Sequence, residues 1–174
     1  NSKRNTMALD YSILSRKDFD VVVTGELTHL CLHLELEVNK FITDYFLYRS
    51  SRKMEFGLLI LYRECLSFQE KIDIIKSLVN IKSSKLNKAE SNFIISKMEK
   101  IKSLRNTLAH GFQTRDDESD EIKIIIETYG RTVNINRTII TPINHQEIVD
   151  DFELFFAEVV KWRKKTIKIL NSKS

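Results

Sequence analysis

The sequence predicts a mainly α protein, an antiparallel bundle of about five helices with a β-hairpin inserted before the last helix. One Pro and four Gly among 174 residues favour long regular elements with few turns. Apolar residues recur at spacings of three and four over most of the chain, which indicates amphipathic helices. At about residues 121–141 this spacing gives way to the alternation that is typical of strands.

A single domain covering residues 1–174 is the expected organisation, since about 100–200 residues per domain is usual. Hydrophobic residues make up 42% of the chain, enough for a core. The chain has 28 Lys and Arg against 24 Asp and Glu, and its pI is near 9.0. This mildly basic balance is compatible with RNA binding but does not by itself predict it.

Cys31 and Cys65 have neither CxxC spacing nor neighbouring metal ligands, which is typical of reduced thiols in an intracellular protein. No apolar run reaches the ~18 residues of a membrane span, so we expect no membrane association. The first residues, NSKRNTM, are not followed by a signal-peptide core. We therefore expect a cytoplasmic protein, and we predict neither a cofactor nor a metal ion.

Three helices are predicted in the first half of the chain. The first covers Asp18 to about Tyr48, with apolar residues along one side. The second, Met54–Leu66, is apolar nearly all round, which predicts the central and most enclosed helix. Ser67 followed by Glu70 forms a capping box, and it predicts a third helix that ends near Ile81.

The fourth helix is predicted within Asn87–Gly111, the segment on which the functional prediction depends. Asn87 is an N-cap with Glu90 as its capping-box partner, and Gly111 is placed to end the helix in a left-handed turn. Five apolar residues at spacings of three and four form one face of this helix: Ile94, Met98, Ile101, Leu104 and Leu108.

The hairpin is predicted to follow an exposed acidic loop, Gln113–Glu121. Its strands are Ile122–Tyr129 and Thr132–Ile140, and Gly130-Arg131 forms the turn between them.

The last helix is predicted to run from a capping box at Asn144 and Glu147 to about Leu170. Its basic segment, Lys161–Lys168, includes Trp162, an aromatic residue of the kind that can stack on a base. We expect instead that Trp162 packs against the bundle and that the lysines are solvated.

Arg105 lies within the apolar face of the fourth helix, about 40° from Ile101 at about 100° per residue. An arginine does not lose its charge, so it must meet a carboxylate, reach water or face a phosphate. Helix geometry alone favours an ion pair with a neighbouring helix, and the acidic candidates there are Glu26, Glu35, Glu37 and Asp44.

The run RNTLAH, from Arg105 through Asn106 to His110, resembles the motif of the HEPN superfamily (higher eukaryotes and prokaryotes nucleotide-binding). In that family, Arg–x4–6–His with a polar residue after the Arg marks metal-independent endoribonucleases. The resemblance implies RNA as substrate and a homodimer formed through the motif-helix face. It also implies that the protein is a toxin or phage-defence effector. An antitoxin of nucleotidyltransferase type is the second protein partner that the resemblance implies.

The three motif residues suit metal-free RNA cleavage. His110 can act as base or acid because the ordinary pKa of histidine is near neutral. Arg105 supplies a planar cation for phosphate oxygens, and Asn106 can orient His110 or hold a phosphate. Arg105 and His110 lie about 140° apart on a helix of about 100° per residue. The resemblance implies that the two motif helices of a dimer complete a shared site.

Two other classes of function remain open. One is a catalytically inactive HEPN-like module that binds a nucleotide or a protein partner. The other is a plain helical interaction domain in which Arg105 makes a structural ion pair and His110 stabilises the end of its helix.

A metal site is a further alternative on the first helix, where His29, His33 and Glu37 are spaced by four. Two histidines at this spacing can share a metal ion. Because there is no HExxH pattern, a solvated face is favoured.

Overall fold

The structure is a computed structural model that describes residues 11–62, 66–81, 86–114, 121–129 and 135–172. It confirms a mainly α fold with five helices and antiparallel strands before the last of them. A 3₁₀ turn precedes the first helix, and a π-helical turn continues the second. The elements are a 3₁₀ turn Tyr11–Ile13, α1 Arg16–Leu47, α2 Lys53–Phe56, a π turn Gly57–Leu61, α3 Phe68–Asn80, α4 Lys88–His110 and α5 Pro142–Asn171.

The described residues of Met54–Leu66, the segment predicted to be the most enclosed helix, lie largely at the surface, so that prediction was wrong. Residues 63–65 lie outside the described part of the chain. Met54 is 75% exposed and Leu58 is 56% exposed, whereas Gly57 and Leu61 are buried. A long helix that is apolar all round would need burial on every side. Here α2 has only four residues and passes into a π turn, so only one side of this short segment meets the bundle.

The N-terminal caps of α3 and α4 follow the prediction in part. Ser67 and Glu70 form the expected capping box. Asn87 caps α4 by accepting from the Glu90 backbone N–H (3.0 Å). The Glu90 carboxylate does not complete a box there, because it forms an ion pair with Lys165 of α5 (2.8 Å).

Two predicted helix caps were wrong, although α4 ends before Gly111 as predicted. Gly111 does not adopt a left-handed conformation: its backbone is extended (φ −76°, ψ 150°), and the chain continues directly into a strand. The cap of α5 is Thr141, which forms its box with Asn144, and Pro142 is the first helical residue. Pro at the first helical position is favoured because its missing N–H would have no partner there.

The strands form one antiparallel sheet in the order β1-β2-β3, with β1 Phe112–Thr114, β2 Ile124–Tyr129 and β3 Ile135–Ile140. The β2–β3 pair is the predicted hairpin. Strand β1 was not predicted, because three residues are too few to show an alternation, and the assignment of Gln113 and Thr114 to the acidic loop was wrong. The predicted turn Gly130-Arg131, the start of the second predicted strand at 132–134 and residues 115–120 of the acidic loop lie outside the described residues.

Two hydrophobic cores support these elements. The main core lies between the helices and includes Leu34, Phe41, Ile72, Met98, Phe155 and Trp162. The second core lies under the sheet and includes Phe19, Val23, Leu27, Ile124, Ile126 and Ile140. Trp162 stacks on Phe41 at a centroid distance of 4.3 Å and donates to Ser91 Oγ (3.2 Å), which confirms that Trp162 packs against the bundle.

Helices α1 and α5 are also joined by a mostly buried ion network. Arg163 Nε lies 3.0 Å from Glu37 Oε2, and Arg163 Nη1 lies 3.1 Å from Asp44 Oδ2. Within the described residues, no helix is both long enough and apolar enough to cross a membrane.

Candidate functional site

A cleft of about 750 Å³ opens beside the C-terminal half of α4. Its walls come from α1, the end of the π turn, the start of α3 and α4. Three cationic side chains and one carboxylate line it: Lys71, Lys102, Arg105 and Glu35. The excess of positive charge suits an anionic ligand.

Arg105 lies in this cleft with an exposed side chain. Its Nη1 donates to Asn106 Oδ1 (3.3 Å), so the structure brings two of the three motif residues together. No carboxylate of the described residues lies within ion-pair distance of Arg105. Three of the four candidate partners are engaged elsewhere: Glu35 with Lys71, and Glu37 and Asp44 with Arg163. The fourth, Glu26, lies near the buried His145.

Arg105 is exposed because α4 passes from one core to the other. Ile94 and Met98 lie in the main core, whereas Leu104 and Leu108 pack against the second core under the sheet. Arg105 follows Leu104 in the chain, and its exposed side chain lines the cleft. The apolar stripe in the sequence is therefore shared by two cores.

Lys71 and Lys102 are cleft residues that the sequence did not single out. Lys71 is only 2% exposed and donates to Glu35, which joins α3 to α1. Lys102 donates to Gln69 Oε1, which joins α4 to α3. Lys71 has a detectable sequence signal, since it lies on the same apolar side of α3 as Ile75.

Cys31 lines the cleft on α1 and is close enough to Arg105 to interact electrostatically with it. Burial raises the pKa of the Cys31 thiol to about 11, against a smaller opposing effect of Arg105. A thiol with so high a pKa is neutral near pH 7 and is a poor nucleophile. Cys65 lies outside the described residues.

His110 is exposed in the last turn of α4 and is not part of the cleft wall. It follows Arg105 by five residues, which is about 7.5 Å along a helix axis. One chain therefore places Arg105 and Asn106 in the cleft and leaves His110 outside it.

The remaining histidines do not form a site with the motif. The rings of His29 and His33 lie 4.3 Å apart, but Glu37 is held by Arg163. Among the described residues, no group of three or more His, Cys, Asp and Glu side chains has the arrangement of a metal site.

His145 is fully buried. No sequence pattern indicated it as a candidate residue. A hydrogen bond of 2.8 Å joins its Nδ1 to Tyr11 Oη, and its Nε2 lies 3.5 Å from Glu26 Oε2. Burial lowers the pKa of His145, so the neutral form is favoured. These contacts give His145 a structural role between the 3₁₀ turn, α1 and α5.

Comparison with known proteins identifies no relative, since no family model, curated protein or solved structure matches the chain.

Proposed function

We propose that this chain is a HEPN-like, metal-independent endoribonuclease that acts in the cytoplasm as a toxin or phage-defence effector. The observation that supports the proposal is the position of Arg105. Its guanidinium has no carboxylate partner among the described residues, and it lies beside Asn106 in a cleft with two further cations. Such a group suits the phosphate of an RNA.

The reaction needs a base, an acid and a cation. A base removes the proton of the 2′-hydroxyl, the 2′ oxygen bonds to phosphorus, and the bond from phosphorus to the 5′ oxygen breaks. The acid returns a proton to that 5′ oxygen, so that the products are a 2′,3′-cyclic phosphate and a 5′-hydroxyl. His110 serves as base or acid, and Arg105 stabilises the charge on the phosphate oxygens. DNA lacks the 2′-hydroxyl and is not cut.

The proposed enzyme is a homodimer, because His110 of the same chain lies outside the cleft. Exposed apolar side chains along the cleft support an interface there: Leu32 is 53% exposed, Leu36 41% and Tyr62 49%. Exposed apolar groups that cluster in this way are typical of association surfaces. An antitoxin of nucleotidyltransferase type would be a second protein partner.

The test is RNA cleavage in EDTA by the wild-type protein, His110→Ala and Arg105→Ala. We expect each substitution to slow cleavage by at least about 100-fold, the lower end of what acid–base catalysis contributes. Products should carry 2′,3′-cyclic phosphate ends. Arg52→Ala is the matched control, since the Arg52 side chain is 79% exposed and pairs with Glu55 outside the cleft. Cleavage that persists in His110→Ala would contradict the proposal.

The position of His110 favours one other candidate, a catalytically inactive module that binds nucleotides in the same cleft. It predicts that nucleotides bind and that Arg105→Ala weakens their binding. It also predicts that no RNA is cut under any condition in which the protein is folded and dimeric.

A further inference from the structure

The C-terminal part of α5 carries a row of exposed lysines. Residues 159–171 contain Arg163 and four lysines but no aspartate or glutamate. The lysines are spaced by three and four, so they form one row along the helix, and all of them are exposed. The row consists of Lys161, Lys164, Lys165 and Lys168. From its first lysine to its last it extends about 10.5 Å along the helix axis.

Most of the charge in this row is not neutralised by the chain itself. Lys165 pairs with Glu90 (2.8 Å), whereas Lys161, Lys164 and Lys168 make no ion pair with a described residue. Like charges four residues apart on a helix repel each other and destabilise it. The helix dipole favours cations only in the last turn, where Lys168 alone of the row lies. The row therefore lowers stability, and an anionic partner would relieve the repulsion.

A further cation reaches the row from the end of α1. Arg49 directly follows the C-cap of α1, and it lines a groove of about 500 Å³ together with Lys164 and Lys168. It is exposed and makes no ion pair with a described residue. A second groove, of about 480 Å³, is lined by all four lysines. The five cations form one surface, the α5 basic surface: Arg49, Lys161, Lys164, Lys165 and Lys168.

The chemistry of the α5 basic surface fits the phosphate backbone of a nucleic acid. The large apolar residues between its lysines, Trp162 and Ile167, are both buried. Trp162 therefore cannot stack on a base, and the row has no large apolar side chain between its lysines to insert into a membrane. Contacts with phosphates alone carry no sequence information. Such a surface suits RNA of any sequence.

The α5 basic surface is separate from the cleft, since none of its five residues lines the cleft. Arg163 marks the side of α5 that faces α1, because it pairs there with Glu37 and Asp44. At about 100° per residue, the four lysines lie about 100–160° round the helix from Arg163. A mononucleotide held in the cleft would therefore not contact them, whereas a longer RNA offers further phosphates.

We propose that the α5 basic surface binds the phosphate backbone of RNA without regard to base sequence. This rests on the proposed function insofar as it takes RNA as the partner. The cations neutralise several phosphates, and the release of the counterions of those phosphates drives binding. The contact adds affinity for long RNA, and it leaves the binding of a mononucleotide unchanged.

The test measures how binding of a long single-stranded RNA depends on salt. The His110→Ala protein is used so that cleavage does not interfere, and the ligands are poly(U) and poly(A). Each phosphate contact with single-stranded RNA contributes about 0.7 to the slope of log K against log salt concentration. Substituting both Lys164→Gln and Lys168→Gln should therefore reduce the slope by about 1.4, equally for the two polymers.

The matched control removes the same charge elsewhere, by Lys17→Gln with Lys100→Gln. Both lysines are exposed, on α1 and α4, and neither makes an ion pair with a described residue. The control should keep the slope of the His110→Ala protein. Equal slopes for the control and the Lys164, Lys168 variant would overturn the inference. A reduction for only one polymer would also overturn it, as would binding to phosphatidylserine vesicles but not to RNA.

The inference and the proposed function can fail separately. RNA cleavage that depends on His110, with an unchanged slope in the Lys164, Lys168 variant, would overturn the inference and leave the nuclease in place. A slope reduced by this variant alone, in a protein that cuts no RNA, would support the inference and overturn the nuclease.

Discussion

Gly111 joins the motif helix to the sheet, and it is glycine because there is no room for a side chain. A Cβ at this position would lie 2.1 Å from Ile126 Cγ2 and 2.5 Å from the Thr107 carbonyl oxygen. Both distances are far below van der Waals contact. The close approach lets the end of α4 pack directly on β2, just after His110.

We expect Gly111→Ala to destabilise the protein by about 1–3 kcal/mol, the usual cost of overpacking a filled site. Urea unfolding at equilibrium measures the free energy of unfolding. Gly25→Ala is the matched control, because a Cβ there meets nothing within 4 Å in an exposed part of α1. The control should stabilise the protein by about 1 kcal/mol, the helix propensity difference. Equal effects of the two substitutions would contradict the close contact at Gly111.

Only some of the cleft residues carry a signal in the sequence. Arg105 and Asn106 were recognised from the spacing of a short motif, and both line the cleft. Asn39, a buried residue of the same cleft wall, has no such signal, since a single Asn in a long amphipathic helix is ordinary.

Among the elements, the long helices were predictable and the short ones were not. The predicted bounds of α1, Asp18 to about Tyr48, differ from the observed Arg16–Leu47 by two residues or fewer at each end. Long helices repeat their apolar spacing over many turns, which makes the pattern clear. In Met54–Leu66 apolar residues fall on nearly all sides of a helix, so their spacing does not show which side is buried. The structure forms α2 and a partly exposed π turn there.

The buried His145 ties the 3₁₀ turn to α1 and α5, and this connection should respond to pH. Its lowered pKa means that the folded protein favours neutral imidazole, whereas the unfolded chain binds a proton near the ordinary value of about 6.5. The stability that His145 contributes is therefore present above pH ~6.5 and is lost as pH falls through the lower pKa of the folded state. For one group the slope is at most about 1.4 kcal/mol per pH unit.

We expect the wild-type protein to lose more stability between about pH 7.5 and pH 5.5 than His145→Gln does, since the variant lacks this proton-linked contribution. Urea unfolding at both pH values measures the difference. Asn92→Gln, at an exposed position of α4, is the control, because it removes no titratable group. The prediction is wrong if His145→Gln and the wild type lose stability in parallel.

At the scale of the whole molecule, the two cores explain why Arg105 and His110 of the motif lie apart. The main core holds α4 among the helices, and the second core holds its C-terminal end under the sheet. The described chain therefore places Arg105 in the cleft and His110 outside it, at the end of the same helix. The two groups do not meet within one chain in this arrangement, and for this reason the proposed site takes one group from each of two chains.

A site shared between subunits makes a quantitative prediction for mixed dimers. Arg105→Ala and His110→Ala chains, each inactive alone, form heterodimers in which one site contains Arg105 from one chain and His110 from the other. After random exchange, half of the dimers are mixed and one of their two sites is intact, so activity should recover to about a quarter of the wild-type value in a two-fold symmetric dimer.

The recovery is measured by RNA cleavage after the two variants are unfolded together and refolded. Each variant refolded alone is the first control. A mixture of Arg105→Ala with an Arg105→Ala, His110→Ala double variant is the second, and neither should regain activity. Recovery near a quarter supports a site completed across the interface. No recovery in verified heterodimers would mean that each chain carries its own complete site, and His110 would then have to move into the cleft of its own chain.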